Sequence, residues 1–350
     1  MVFKHKMYIF VLKKSLYLQK KRMNDMIESN VNSCTPMVSV VMIAYNKEKY
    51  IEDAIRGVVF QKTKFEVELI IMDDCSTDST PQIISQYQKR FPHIIKSFRN
   101  PTNLGLQKNY IEGFKHVTGK YMAICDADDY WFDRSKLKRQ VAYMEEHSEC
   151  ALTFHRVINF YEDSGEKSLS NGGQPIENTL ESLSRSNYIT NLSVMYRSEL
   201  VNLKSLPEWL EFDKSPDYAM HMLYAVHGSI HFFSRPMGVY RKASGSAWSM
   251  TDEFKRLQMS LTVRLHLIRE LNGREQAVAG LKSAAVNILV AMFRVASSDS
   301  ELGLAAKLAS EAGLLGAVTE KVKIPIATPK SKLSKRIIRA VSKFLPLPRP

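Results

Sequence analysis

The sequence predicts an α/β fold, a mixed and mainly parallel sheet flanked by helices, with a C-terminal helical appendage. Three observations carry that expectation. Short β-branched apolar runs alternate with stretches of helical periodicity from residue 38 to about 147. Two of those runs end abruptly in clusters of aspartates. From 251 to 318 the chain turns Ala- and Leu-rich and reads as largely helical.

Residues 38–44 (VSVVMIA) read as a buried strand. Asn46–Tyr50 punctuates it, and Ile51, Ala54, Ile55, Val58 and Val59 then follow the spacing of an amphipathic helix. A second strand, 67–72 (VELIIM), stops at Asp73-Asp74. Residues 79–90 predict a helix with Asp78 as N-cap and Pro81 in its first turn. A short strand over 94–98 and a helix over 106–117, stopped at Gly119, come next. The strand at 121–125 runs straight into Asp126-Ala127-Asp128-Asp129. Then come a helix to 147, a strand over 151–157, and a Gly/Ser/Asn-rich loop at 164–174, a lid or a surface excursion. A helix over 218–227 and two short strands, 230–233 and 237–240, complete the α/β part. This alternation implies right-handed crossovers, with ligands bound outside the carboxyl ends of the strands. The aspartate clusters lie on that side.

The 350 residues are 45% hydrophobic and 24% charged, enough for a substantial core. The net charge of +13 is concentrated at the ends: residues 1–22 carry seven Lys/Arg and no acid, and 320–350 carry nine against Glu320 alone. The part between is slightly acidic, so the cleft lacks the basic surface of a nucleic-acid enzyme, and no nucleic-acid partner is expected. The longest apolar stretches, 7–12 and 284–293, fall short of the ~18–20 residues a bilayer span needs. Cys34, Cys75, Cys125 and Cys150 form no CxxC pair, and two of them sit in strand-like runs, which points to buried thiols in a reducing compartment. The Asn191-Leu192-Ser193 sequon is then a chance match.

Neither GxGxxG after a strand nor GxxxxGK[ST] is present, which argues against a dinucleotide dehydrogenase and a P-loop kinase. Carboxylates alone would repel a diphosphate. A hard divalent cation, held by one or two carboxylates and completed by phosphate oxygens and water, reconciles the two. In an extended segment Asp126 and Asp128 point the same way and can face one ion. The plainer reading is a polar turn with Asp129 or Asp133 capping a helix, but position at a strand end favours the ion.

Residues 38–140 resemble the nucleotide-binding half of family 2 glycosyltransferases, the inverting enzymes of the GT-A (nucleotide-diphospho-sugar transferase) fold. The resemblance rests on four blocks in order: VSVVMIAYN at 38–46, Asp73-Asp74-Cys75-Ser76-Thr77-Asp78, Asn103-Leu104-Gly105, and Asp126-Ala127-Asp128-Asp129-Tyr130-Trp131. Residues 186–249 continue it more loosely. It implies a GT-A domain (36–250, with a nucleotide-binding half 36–140 and an acceptor half 141–250) and lapses beyond about 250; charge and composition set off a basic N-terminal extension (1–35), a helical appendage (251–319) and a basic amphipathic tail (320–350).

The resemblance also implies roles. Ala44, Tyr45, Asn46, Asp74, Lys108, Asp126 and Ala127 would bind the nucleotide, with Tyr45 and Asp74 at the base and Asp74 taking a uracil imide. Asp128, with Asp126, would hold Mn²⁺ or Mg²⁺, and Asp217 would be the catalytic base, although an N-cap explains Asp217 equally well when taken alone. The implied reaction moves a sugar, with inversion, from a UDP-sugar to a hydroxyl of a glycan or lipid-linked acceptor in bacterial surface polysaccharide or lipopolysaccharide synthesis. One departure stands out: Ala243 occupies a position where the family commonly has a metal-ligating His. Water or phosphate then fills that place, metal binding is weaker, or the chain is a catalytically weak nucleotide-sugar-binding or scaffolding member. Arg241 and Lys242 either pair with the diphosphate or form an exposed basic pair. In the tail, Leu333, Ile337, Val341 and Phe344 share one helical stripe and Lys332, Lys335, Arg336, Arg339 and Lys343 another. That pattern fits a helix lying on an anionic membrane surface, or a solvated tail, and the expected location is cytoplasmic, peripheral at the inner face of the plasma membrane.

Overall fold

The computed structural model describes residues 36–212, 216–243, 251–322 and 332–344. The expected N-terminal extension, Asp213 and residues 244–250 therefore lie outside the described residues, as do 323–331 and 345–350 of the tail.

Strands β1 (Val38–Ala44), β2 (Val67–Asp73), β3 (Ile95–Arg99) and β4 (Tyr121–Ile124) form where the apolar runs predict them. They pair in parallel in the order β3-β2-β1-β4. Helices α1 (Ile51–Val59), α2 (Thr80–Arg90) and α3 (Leu106–Lys115) connect them. After β3 the chain crosses to the other side of β1, so the strand order reverses between β1 and β4. A crevice opens at such a reversal, beyond the carboxyl ends of the two strands.

Alternation along the strands buries both faces of the sheet. Val40, Met42 and Ala44 pack on the side of α1, α2 and α4 (Lys136–Glu146), whereas Val41 and Ile43 pack on the side of α3. Each buried Val, Ile or Met among them contributes about 1.5–3 kcal/mol of transfer free energy.

The sheet continues through β5 (Tyr130–Trp131), β6 (Cys150–Tyr161), β7 (Lys167–Leu169), β8 (Glu177–Asn178), β9 (Met195–Arg197) and β10 (Ser229–Lys242). Short β9 lies antiparallel between β4 and β6, and β6 pairs in parallel with β10. The expected mixed sheet is thus present. Its first four strands are wholly parallel, and its antiparallel pairings fall to β9 and the two- or three-residue strands.

Several local expectations change. Ser79 holds the N-cap position of the helix after β2 but makes no side-chain cap bond there, and the carboxylate of Asp78, one residue earlier, accepts from the Thr80 and Glu48 amides. Gly119 does not end α3, which closes at His116. It is needed because a Cβ there would stand 2.6 Å from the Ser39 amide nitrogen. The stretch 164–174 is not a simple loop: Gly165 turns the chain at φ +70° and β7 pairs back on β6. The two strands expected at 230–240 are one, β10, which keeps its continuity by register shifts around Pro236, where a residue without an N–H is tolerated.

Helices α5 (Leu180–Arg185) and α6 (Pro216–Ala225) cover the α3 face of the sheet. Helices α7 (Glu253–Glu270), α8 (Glu275–Val295), α9 (Asp299–Glu311), α10 (Leu315–Val322) and α11 (Lys332–Ser342) follow. Val263 and Leu267 of α7, and Ala277 and Leu281 of α8, join the same core as α6, while the rest of α8 builds a second core with α9, α10 and α11. At 21 residues and with its apolar composition, α8 is long enough to cross a bilayer, but Ala285, Leu289, Met292 and Phe293 are buried within the fold.

The tail helix α11 is corrected in one respect. Ile337 and Val341, assigned to a membrane-facing stripe, are buried against the appendage, and Arg336 pairs with Asp299 at 2.7 Å. Two positions of the stripe thus have a protein partner, whereas Phe344 stays 36% exposed, and Lys335, Arg339 and Lys343 are exposed too.

Candidate functional site

The loops that follow β1 and β2 are laced together at the crevice. Asn46, at φ +51°, donates its amide to Ser76 Oγ at 3.0 Å and accepts from the Thr77 amide at 2.8 Å. The Lys47 amide donates to Thr80 Oγ1 at 2.8 Å, and Ser79 donates to the Glu48 carboxylate at 2.8 Å. Cys75, at φ +62°, is a second left-handed residue in this lacing. Such conformations persist only where surrounding bonds over-determine them. Beside this lacing, Tyr45 is 45% exposed, and Ala44 is buried at the end of β1.

Asp74 is buried, and its carboxylate accepts from the Asn100 side chain and the Leu104 amide, both at 2.8 Å, and from the Gly105 amide at 2.9 Å. A carboxylate has about four acceptor directions, so roughly one remains for a ligand. Gly105 caps α3 at φ +84°, which a side chain would strain. Asn109 in turn fixes Asn100 and the Met72 carbonyl. Lys108 is exposed on the first turns of α3.

After β4, Asp126 and Asp128 both reach the crevice. Asp126 accepts from Tyr110 Oη and from Asn191 Nδ2 at 3.1 Å, and Asn191 also donates to Tyr110 Oη at 2.7 Å. Asn191, read from sequence as an accidental sequon, is thus engaged inside the site. Burial, reinforced by the charge of Asp128, pushes the Asp126 carboxyl up to about 7. Asp128 pairs with Lys47 Nζ at 2.7 Å, across the crevice between β1 and β4. Burial works to lower the Lys47 value, but the neighbouring Asp128 outweighs it and leaves the ammonium above its usual value.

Asp129 is buried, pushed well up by burial and by Asp128 and Asp126, and takes the Arg241 amide at 2.9 Å. Arg241 is neither an exposed cation nor free for a phosphate. Its guanidinium bonds the Asp53 carboxylate at 2.6 Å and the Asp128 carbonyl at 3.1 Å, and lies over the Tyr130 ring at 4.5 Å. Lys242 lies over the Tyr161 and Tyr240 rings. Ala243 follows the end of β10, half-buried.

Asp126, Asp129 and Asp217 line one cavity of about 450 Å³, together with Tyr110, Asn191 and Tyr240. That volume suits a small-molecule ligand. Asp217 stands in the first turn of α6, one residue inside the helix rather than at its cap. Burial raises its carboxyl, while backbone amides, the Asn187 side chain and the charge of Arg264 pull it down. The opposite wall comes from α7: Ser260, Val263 and Arg264. Arg264 is 7% exposed, donates to the Ser260 carbonyl and hydroxyl at 2.7 Å each, and has a buried Nε without a hydrogen-bond partner. The sequence offered no chemistry for this helix; Arg264 is one of several basic residues along it, beside Lys255, Arg256 and Arg269, and spacing alone does not single it out.

Among the described residues, no group of three or more His, Cys, Asp or Glu is arranged to hold a metal ion. The Asp126–Asp128 pair nevertheless fits a hard cation. Both are oxygen donors at one crevice, and the Asp126 carboxyl, held up by burial and then by the charge of Asp128, is one that a bound cation would return to its ionised form.

Comparison with known proteins agrees with this geometry. Residues 39–203 match the family model described as glycosyl transferase family 2. An uncharacterised protein of Mycobacterium tuberculosis is 35% identical over 218 residues, 60% of this chain and 60% of that relative's length. The putative teichuronic acid biosynthesis glycosyltransferase TuaG of Bacillus subtilis is 37% identical over 121 residues, 34% of this chain and 46% of the relative. Among solved structures, Staphylococcus aureus TarS 1–349 in complex with UDP-GlcNAc aligns with a TM-score of 0.61 at 22% identity, covering 87% of this chain and 89% of that one. The mannosyltransferase PcManGT of Pyrobaculum calidifontis, in complex with GDP-Man and Mn²⁺, aligns with a TM-score of 0.51 at 18% identity, covering 89% and 87%. At those identities the structural likenesses speak for the fold, which is GT-A.

Proposed function

Because this chain belongs to glycosyltransferase family 2, we propose that it transfers a sugar from a nucleoside diphosphate to an acceptor hydroxyl, with inversion at the anomeric carbon. The observation that carries this reading is that Asp126 and Asp217, from opposite halves of the fold, line the same cavity. A donor held at the crevice between β1 and β4 then presents its sugar to the Asp217 carboxylate in that cavity.

In this reading Asp217 takes the proton from the acceptor hydroxyl as that oxygen attacks. It must be ionised to do so, and Arg264 favours that form against the effect of burial. Tyr110 and Asn191 hold the Asp126 carboxylate in one orientation. Asp126 and Asp128 would hold Mn²⁺ or Mg²⁺, which when bound neutralises charge developing on the departing nucleoside diphosphate. Ile189 and Val263 make part of the cavity wall apolar.

TarS, a poly(ribitol-phosphate) β-N-acetylglucosaminyltransferase, was solved with UDP-GlcNAc, and TuaG is named for teichuronic acid biosynthesis. These relatives favour a UDP-sugar donor and a surface-polymer acceptor, either a glycan or lipid-linked. A cytoplasmic enzyme held by Lys335, Arg339 and Lys343 at an anionic membrane face suits such an acceptor, now through charge rather than through an inserted apolar stripe.

The test is release of nucleoside diphosphate from a panel of nucleotide sugars with Mn²⁺ and candidate acceptors, beside calorimetric binding of UDP. Turnover of a donor that Asp217→Asn loses supports the assignment. UDP binding without turnover on any donor or acceptor would instead favour a nucleotide-sugar-binding protein.

A further inference from the structure

We propose that Lys47 is a resident counter-cation for Asp128, which a divalent cation must displace before it can bind. The inference rests on the reading of Asp126 and Asp128 as the cation-binding pair and specifies what controls that pair.

The ammonium of Lys47 stands 2.7 Å from Oδ2 of Asp128, at the carboxyl ends of the two strands where the sheet order reverses. Its backbone is not free to drift: the Lys47 amide is tied to Thr80, and its carbonyl accepts from Tyr50 and Ile51 at the start of α1. Only the four-carbon stem can swing. The side chains of Lys47 and Asp128 are 29% and 34% exposed, so the pair borders open space into which the ammonium can move.

A hard cation coordinates carboxylate oxygen directly, and a second positive group hydrogen-bonded to that oxygen repels it. Arg241, a neighbouring cation, is engaged with Asp53 and with the Asp128 carbonyl, so it does not compensate the Asp128 carboxylate. Lys47 is the cation that must give way. Once it leaves Asp128 it needs another anion, and the diphosphate of an arriving donor is the chemical class that supplies one. Cation and nucleoside diphosphate should therefore bind with positive coupling, each favouring the state in which Lys47 has left Asp128. In the absence of donor the pair quenches an acidic crevice and blocks loading by free metal.

The experiment compares the full chain with Lys47→Met, Lys47→Gln and Lys47→Arg. Mn²⁺ is titrated alone and then with UDP, read by the electron paramagnetic resonance of free Mn²⁺ and by calorimetry. Thermal melting without metal identifies any variant that fails to fold, and the Gln variant stands in if the Met variant does. The neutral variants are expected to bind Mn²⁺ alone about fivefold more tightly than the natural chain. They should also lose most of the enhancement that UDP gives, while the Arg variant keeps both properties. Equal or weaker Mn²⁺ binding by both neutral variants, in a natural chain that turns over a sugar nucleotide, overturns the role of Lys47 alone. A natural chain that binds neither Mn²⁺ nor UDP overturns this inference and the glycosyltransferase reading together.

Discussion

The guanidinium of Arg264 lies 4.5 Å from the centroid of the Tyr218 ring, so a helix outside the family match places its charge beside the residue that follows Asp217. The other charged or titratable groups facing Asp217 differ in kind: Asp126 and Asp129 share its cavity, as do Tyr110, Tyr218 and Tyr240. Arg264 is the cation among these lining residues. Replacing it by Met removes the charge that opposes the effect of burial on Asp217. The folded-state value of Asp217 should then rise, and the acidic limb of kcat/KM against pH should move upward. Arg264→Lys, which keeps the charge, should show only a small part of that shift. An acidic limb that stays in place would mean that Arg264 serves packing only.

Asp217→Asn keeps the shape of the side chain and removes its capacity to accept a proton. Transfer is expected to fall by ~100-fold or more, with UDP binding by calorimetry little changed. Transfer at the natural rate would move the base elsewhere, and Asp213 is then the next residue to change.

Asp126 makes a prediction about stability. Its carboxyl is pushed up to about 7 in the folded chain, against an unfolded value near ~4. Between those values the folded state holds a proton that the unfolded state has released, so stability falls as pH rises through the window. Asp129, also shifted upward, acts with the same sign. The melting temperature without metal should drop between about pH 4.5 and 7, and Asp126→Asn should flatten the slope. Added Mn²⁺, which selects the ionised form, should recover stability most at the upper end. A melting temperature that does not change over this range would contradict the upward shift of this buried carboxyl.

Gly119 is a packing constraint. A Cβ there would stand 2.6 Å from the Ser39 amide nitrogen and 2.9 Å from the Val38 carbonyl carbon. Backbone on β1 cannot yield as a side-chain tip can, so Gly119→Ala should cost about 1–3 kcal/mol, as in other overpacked sites. Urea unfolding reads it, and a loss under about 0.5 kcal/mol, the range of ordinary surface changes, would show that the turn relaxes.

The two faces of α11 separate by mutation. Ile337→Ala opens a hole in the appendage core and should destabilise the chain by about 2 kcal/mol, the low end for such truncations. Changing Lys335, Arg339 and Lys343 together to Gln should leave melting nearly unchanged while lowering retention on anionic vesicles. Vesicle binding that survives the triple change but falls with Ile337→Ala would restore the apolar stripe as the membrane-seeking face.

The parallel half of the sheet was legible because β-branched runs such as VSVVMIA have few alternatives to a buried strand. Asp126 and Asp128 were legible because their position at a strand end is a property of local sequence. The partners of those residues were not. Tyr110, Asn191 and Lys47 meet the acidic segment only through crossovers that no local pattern encodes. Boundaries failed where tertiary contacts decided them: 230–233 and 237–240 read as two short strands, yet pairing with β6 carries β10 through Pro236. The tail helix was legible as amphipathic, but periodicity alone does not say whether lipid or protein covers its apolar face.

Because Ser260, Val263 and Arg264 form a wall of the cavity, the match to the family over residues 39–203 covers only part of what an acceptor meets. A mutant library restricted to that span would vary the donor side and leave the far wall untouched. Randomising the inward positions of residues 253–270 addresses the opposite question, which hydroxyl is accepted, with the donor pocket held constant. A chimera that imports this helix should bring the Tyr218 end of α6 with it, since ring and guanidinium fit as a pair.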